Sequence, residues 1–353
     1  MTGLTTIRVD SSRPYDVIIG EGILDNAGKK IADVKNPCKA AIITDSTVRE
    51  LYADRLAFSL QSAGFDTCLF SFESGEASKN IDTLSDALEF LASRKMTRSD
   101  IIIALGGGVV GDLAGFAAAV YLRGIDFVQI PTTLLAAVDS SVGGKTAIDL
   151  KNGKNLAGCF YSPVLVLCDC KTLDTLPDEM LSDGTAEALK YGVLFDGELF
   201  GKIASGKVAG DRESIIARCV DLKRMVVETD EFDRGARQLL NFGHTIGHAI
   251  EKCSGFTISH GRGVAVGMAM IAKAAAQKGI SEYDCAPRII SALNNCRLPH
   301  KTDYTAKQLF EAALLDKKRQ SGSITLVLPR RIGECFLKKI PVEELIEYIE
   351  AGI

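Results

Sequence analysis

No apolar run in this sequence approaches the roughly 18 residues that would mark a membrane-spanning helix, so no membrane partner is expected. The opening residues, MTGLTTIRVDSSRPYDVII, lack the basic head and apolar block of a secretory signal, which points to a cytoplasmic protein. Long basic runs are missing and the net charge is −4, which argues against nucleic acid as a partner. CxxC pairs are absent among the ten cysteines, which read as reduced thiols used mainly in packing. Cys168 and Cys170, flanking Asp169, retain only a minor claim to a metal. There is no internal repeat, low-complexity tract or flexible linker.

What is present divides into two halves. At 353 residues, 46% hydrophobic and 24% charged, the chain is long for one core, and two domains are expected. Residues 1–177 alternate short apolar strands (40–44, 68–72, 101–105, 127–131 and 165–169) with amphipathic stretches such as NIDTLSDALEFLASRK. That alternation predicts an α/β domain built on a parallel sheet, with IRV and DVIIG as flanking strands. Residues 178–353 read as mainly α-helical by period and propensity, with two short strands in SITLVLPRRIGECFLKKI before a last helix.

The segment IIIALGGGVVGDLAGF is a strand, a glycine cluster and a helix, and Gly106, Gly108 and Gly111 satisfy GxGxxG. Glycine opens backbone conformations closed to other residues and lets phosphate approach, while the helix N-terminus supplies free N–H groups; a dinucleotide is the natural ligand. The usual ribose-binding acid about 20 residues downstream is missing, and the best strand-end acid is Asp45, well upstream. A variant of the Rossmann arrangement therefore fits better than the standard one. Three polar loops suit the same ligand: SGEASK (74–79) with Glu76 and Lys79, PTT (131–133), and VDSSVGGKTAIDLKNGKN (138–155) with Lys145 and Lys154. GGKT lacks the full GxxxxGK[ST] pattern, so nucleoside triphosphate hydrolysis is not expected.

Arg237, Asn241, His244 and His248 recur at spacings of 4, 3 and 4, which predicts a polar stripe along one helix, opposite Leu239, Leu240, Ile246 and Ile250. Solvent faces favour Lys and Glu; Arg, Asn and His interrupted by Gly243 and Gly247 suggest a pocket wall. Histidines at i and i+4 can share zinc, which nominates His244 and His248, but Thr245 stands where HExxH has Glu. His260, in SHGRGVAVGM, offers a further nitrogen, and Glu187, in TAEALKYGV, a carboxylate with Lys190 close by. Spacing leaves open which two histidines bind.

Together, GGGVVGDLAGFAAAVYLRGIDFVQIPTTLLAAVDSSVGGKTAIDLKNGKNLAGCFYSP, EALKYGVLFD, and RQLLNFGHTIGHAIE followed by SHG resemble the 3-dehydroquinate synthases of the sugar-phosphate cyclase family, across nearly the whole chain. The resemblance implies conversion of 3-deoxy-D-arabino-heptulosonate 7-phosphate to 3-dehydroquinate, in the shikimate pathway, with NAD and a divalent metal, zinc or cobalt. It places the metal ligands at Glu187, His244 and His260, and moves His248 to the substrate site. NAD contacts fall on Asp45, on Ser74, Gly75, Glu76, Ala77, Ser78 and Lys79, and on Gly106, Gly107, Gly108, Val109, Val110, Gly111 and Asp112. They continue at Thr132, Thr133, Lys145, Lys154, Thr172, Leu173, Asp174 and Thr175. Catalytic positions match Lys145, Lys190, Lys223, Arg237, Asn241 and His248; substrate-binding positions match Arg123, Asp139, Lys154 and Asn155. Lys317 or Lys318 joins them by a looser correspondence. A homodimer is implied as well. Where the family commonly has Glu after HG, this chain has Arg262. The alternatives are a cyclase that makes a deoxyinosose or a valiolone, a metal-dependent polyol dehydrogenase, and a non-catalytic NAD sensor.

Overall fold

The computed structural model describes residues 3–206, 208–281, 285–317 and 322–353. The chain forms two compact units, Met1–Leu176 with Lys223–Phe232, and Pro177–Leu222 with Asp233–Ile353. Residues 223–232 thus belong with the first unit although they lie in the second half of the sequence.

The first unit contains β1 (Thr5–Val9), β2 (Tyr15–Gly20), β3 (Lys39–Asp45), β4 (Asp66–Phe72), β5 (Ile101–Gly106), β6 (Asp126–Pro131), β7 (Lys145–Leu150), β8 (Gly153–Phe160) and β9 (Leu165–Asp169). Seven of these form one sheet in the order β1-β2-β9-β6-β5-β3-β4, parallel except for the β1–β2 pair. Side chains alternate faces along a strand, and β5 shows the result. Ile101, Ile103 and Leu105 enter one apolar cluster, Ile102 and Ala104 the other. A strand buried on both faces needs apolar residues at every position, which is why IIIAL reads as an unbroken run.

The stretch 138–155, expected as a polar loop, is mostly ordered backbone. A helical turn (Ala136–Ser140) leads into the antiparallel β7–β8 hairpin. Thr146 and Ile148 face inward, Ile148 into the core cluster and Thr146 Oγ1 onto the Cys159 carbonyl (3.0 Å). Glycines and lysines at both ends of this short alternation concealed it.

In the second unit the helix His260–Gln277 is the centre, packed against helices Asp178–Phe195, His244–Cys253, Ala286–Asn295 and Leu345–Gly352. β10 (Ser323–Arg331) and β11 (Glu334–Pro341) form the expected hairpin. The single helix expected across Arg237 to His248 is in fact broken: a 3-10 turn (Ala236–Asn241) ends before Gly243, and a new helix starts at His244. Gly243 takes φ +78°, a left-handed conformation that stops a helix and suits glycine. It also lies against the helix His260–Gln277, where an added Cβ would come within 2.7 Å of Met268 Cγ. Gly243 and Gly247 thus serve a close helix crossing, completed from the other side by Gly263 and Gly267. Among the described residues no helix is long and apolar enough to cross a membrane.

Candidate active site

In the first unit, β3 pairs with β4 on one side and β5 on the other, so the strand order reverses at β3. Ligands of open parallel sheets bind outside the carboxyl ends of the strands at such a reversal. Asp45 ends β3, Gly106 ends β5, and Thr132 and Thr133 follow β6, with Gly106 paired to Pro131. Asp45 accepts a hydrogen bond from the Val48 N–H (2.9 Å). Thr133 Oγ1 accepts from the Ala136 N–H (3.2 Å). The Thr132 hydroxyl is buried and has no hydrogen-bond partner among the described residues. Such a group calls for a ligand or water.

The glycine turn departs from expectation in its physics. None of Gly106, Gly107, Gly108 and Gly111 has a positive φ. What they supply is room: a Cβ on Gly106 would lie 2.5 Å from Val110 Cγ2, and one on Gly111 2.9 Å from Gln129 Oε1. On Gly107 and Gly108 it would press on Thr133 (3.0 Å) and Ser140 Oγ (3.2 Å). The helix Gly108–Val120 has no side-chain cap, which leaves its first N–H groups for an anion. Val110 is core, so its contribution to a ligand is limited to the backbone.

Lys79 is nearly buried, and its Nζ donates to Asp112 Oδ2 and Asn155 Oδ1, both at 2.6 Å. Burial raises the Asp112 pKa, an effect the Lys79 ammonium opposes. Asn155, at φ +55°, also donates its N–H to Asp149 Oδ1 (2.7 Å). The SGEASK segment is therefore tied to the β7–β8 hairpin, with a looser pair between Lys154 and Glu76 (3.8 Å). Lys79→Met strands the Asp112 carboxylate and is expected to destabilise the protein by about 2–3 kcal/mol. Adding Asp112→Asn should recover part of that loss in a urea titration; strictly additive losses would contradict the coupling.

Other expected residues of this unit are placed as follows. Lys223 Nζ donates to Asp139 Oδ1 (2.8 Å) and to the Asp139 carbonyl (2.7 Å), so Asp139 holds a cation. The Thr172 hydroxyl donates to the Asp169 carbonyl (2.8 Å), Leu173 is buried, and Thr175 Oγ1 meets Tyr52 OH (2.7 Å). The carboxylate of Asp169 accepts N–H groups from Gly22, Leu24 and Lys171, which gives the Cys168–Cys170 segment a structural role. Lys145 is exposed at the start of β7. Arg123 is set apart: it follows the helix Gly108–Val120, at the opposite end from the glycine turn. Thirteen helical residues separate the two ends by about 20 Å.

In the second unit the helix Asp178–Phe195 carries Glu187 and Lys190, both buried, with Lys190 Nζ 2.5 Å from Glu187 Oε2. The other carboxylate oxygen faces two imidazoles, His244 Nε2 at 3.5 Å and His260 Nε2 at 3.3 Å. His244 Nδ1 lies 3.0 Å from the Phe242 carbonyl, which can only accept. The proton therefore sits on Nδ1, and the Nε2 lone pair points at a carboxylate oxygen. Burial, with Lys190 nearby, lowers the His244 pKa to about 3, which keeps the ring neutral. Two acceptors facing each other suit a bridging cation, and the ligand atoms of Glu187, His244 and His260 all lie within 4.8 Å of one another. This carboxylate and two imidazoles fit a divalent metal.

His260 differs from His244. Burial lowers its pKa, but Glu187 and Glu251 outweigh that and push it up to about 10. Its Nδ1 lies 2.9 Å from Glu251 Oε1. Glu251 escaped the sequence reasoning, although it lies seven residues after His244, two turns along the same helix. Asp183 escaped as well: its Oδ1 accepts from Ser259 Oγ (2.5 Å) and from the Arg262 N–H (3.0 Å). His248, nominated by spacing, is exposed, with ring centroids 5.5 Å from His244 and 5.7 Å from His260. It forms a second candidate group with Glu251 and His260. Arg237 is buried and Asn241 exposed on a turn that packs against the Glu187 helix. Lys318, and the side chain of Lys317, lie outside the described residues.

Comparison with known proteins gives this geometry a context. The family model for the 3-dehydroquinate synthase N-terminal region matches residues 69–183, and the C-terminal model matches 184–319. The 3-dehydroquinate synthase of Enterococcus faecalis is 44% identical over 347 residues, covering 96% of this chain and 97% of that protein. The chain belongs to the 3-dehydroquinate synthase family. Another family member, from Clostridium acetobutylicum, is 42% identical over 341 residues, 95% of this chain and 96% of its own. Among solved structures, 2-deoxy-scyllo-inosose synthase complexed with carbaglucose-6-phosphate, NAD+ and Co2+ superposes with a TM-score of 0.89 at 27% identity, covering 99% and 100% of the two chains. ValA, the 2-epi-5-epi-valiolone synthase of Streptomyces hygroscopicus, with NAD+ and Zn2+ bound, gives 0.87 at 27% over 99% and 98%. An iron-containing alcohol dehydrogenase shares the fold at 0.68 and 17% identity, over 99% of each chain.

Proposed function

We propose that this protein is an NAD- and metal-dependent carbon–oxygen lyase that converts 3-deoxy-D-arabino-heptulosonate 7-phosphate to 3-dehydroquinate and phosphate. One observation carries the reading: the Glu187–His244–His260 group is intact in a chain 44% identical over 96% of its length to a 3-dehydroquinate synthase. When bound, NAD supplies reversible hydride acceptance and the divalent ion, zinc or cobalt, polarises a substrate hydroxyl.

The chain's own residues bind and orient. Lys190 holds one oxygen of Glu187, which leaves the other for the ion. Lys145, Lys154, Asn155, Lys190, Lys223, Arg237, Asn241 and His248 provide donors for the phosphate, carboxylate and hydroxyls of the substrate. Asp139 orients Lys223. The glycine turn, Asp45, residues 74–79, Asp112, Thr132, Thr133 and residues 172–175 form the NAD site in this reading. The family resemblance supports a cytoplasmic homodimer.

The purified protein with NAD, zinc or cobalt and the heptulosonate phosphate is expected to release phosphate stoichiometrically with no lasting absorbance of NADH. Steady NADH accumulation would indicate a polyol dehydrogenase. Turnover confined to a hexose 6-phosphate would indicate another cyclase.

A further inference from the structure

His260 is held by more than its ligand bond. It is the first residue of its helix, and the N-cap residue, Ser259, makes no side-chain cap of its own. The cap comes from another helix: Asp183 accepts from Ser259 Oγ and from the Arg262 N–H. Asp183 lies four residues before Glu187, so one face of the helix Asp178–Phe195 offers both the carboxylate that faces His260 Nε2 and the carboxylate that anchors the His260 backbone. The approach leaves no room for error, since a Cβ on Gly261 would lie 2.1 Å from the Asp183 carbonyl oxygen. The third restraint is Glu251, only 2% exposed, on the Nδ1 of His260.

An imidazole presents a lone pair from one nitrogen only when the proton resides on the other. For His244 a backbone carbonyl fixes that choice whatever the side chains nearby. For His260 a side chain does so, and it can be removed by substitution. We propose that Glu251 and Asp183 are positioning residues for metal binding: Glu251 holds the proton on Nδ1 and sets the ring, and Asp183 anchors the helix start that carries it. The proposal rests on Glu187, His244 and His260 being the ligands. Arg262 contributes its backbone N–H to Asp183, and the acid partner of His260 Nδ1 is Glu251.

The test titrates apo protein with Co2+, following its visible absorption, and with Zn2+ in competition with a chromogenic chelator. Outer carboxylates of this kind change metal affinity about 10- to 100-fold. Glu251→Gln, which keeps shape and an acceptor, is expected to weaken binding about tenfold, and Glu251→Leu about a hundredfold, both with an altered Co2+ spectrum. Asp183→Asn should weaken binding about tenfold. Thermal melts of the apo variants report folding, and Glu251→Gln decides the matter should Glu251→Leu fail to fold. Wild-type affinity and spectrum in the Glu251 and Asp183 variants, with binding lost in His260→Ala, would overturn the proposal and leave the ligand set standing. A lowered melt without change in Co2+ affinity would equally overturn it, because that is a structural role alone. Metal retained by Glu187→Ala but lost from His248→Ala would overturn both, since the ion would then lie among His248, Glu251 and His260.

Discussion

Gly267→Ala is expected to destabilise the helical unit by at least about 3 kcal/mol and to cost it the metal. The new Cβ would lie 2.0 Å from the Gly243 carbonyl oxygen and 3.0 Å from the Gly247 backbone nitrogen, so the obstacle is backbone and no rotamer change relieves it. Overpacking in a close helix crossing forces the two axes apart. Here one helix starts with His244 and the other with His260, whose rings now lie 5.2 Å apart. Separation of the helices separates the ligands. The denaturation midpoint of the apo protein and its zinc stoichiometry check the two halves of this expectation. A variant of unchanged stability that binds a full equivalent of zinc would contradict the crossing as described.

Lys190→Met should lower apo stability by about 3–5 kcal/mol, because it leaves Glu187 buried without its ammonium. The two groups are 1% and 0% exposed and 2.5 Å apart. A bound divalent cation would neutralise the same carboxylate, so saturating zinc should restore most of the loss. Glu187→Gln should show a comparable apo loss, this time from a stranded Lys190, with no recovery on adding zinc. Equal losses for Lys190→Met with and without zinc would place the ion away from Glu187. Turnover should fall at least about a hundredfold in both variants, since each removes a charge from the proposed reaction centre.

The sheet was legible because a strand buried on both faces has to be written in apolar residues, as β3, β5, β6 and β9 are. The edge strand β4 was read from its apolar run too, while β2, expected only to flank the sheet, lies inside it. The β7–β8 hairpin was not, because its inward residues amount to Thr146 and Ile148 between glycines and lysines. The polar stripe was legible in its members and wrong in its continuity. Arg237 and Asn241 lie on one element and His244 and His248 on the next, and the spacing that united them runs across the left-handed Gly243. Glu251 closes the RQLLNFGHTIGHAIE motif without a role that spacing could assign it, and Asp183 lies outside every motif. A carboxylate in a helix reads as solvated surface until the packing buries it against an imidazole.

The sequence by itself determined the alternation of strands and helices, the glycine turn at the end of β5, and the residue types able to hold a cation and a nucleotide. These are local matters of period, propensity and chemistry, written in neighbouring residues. Residue spacing left open which imidazoles share Glu187; the family motifs named His244 and His260, and the tertiary structure gives the physical reason. His248 is nearer to His244 along the chain, but the glycine-lined crossing of two helices brings His260, sixteen residues beyond His244, to the same carboxylate oxygen. Sequence spacing reports neighbours along one helix, whereas a ligand set is fixed by where separate helices can touch.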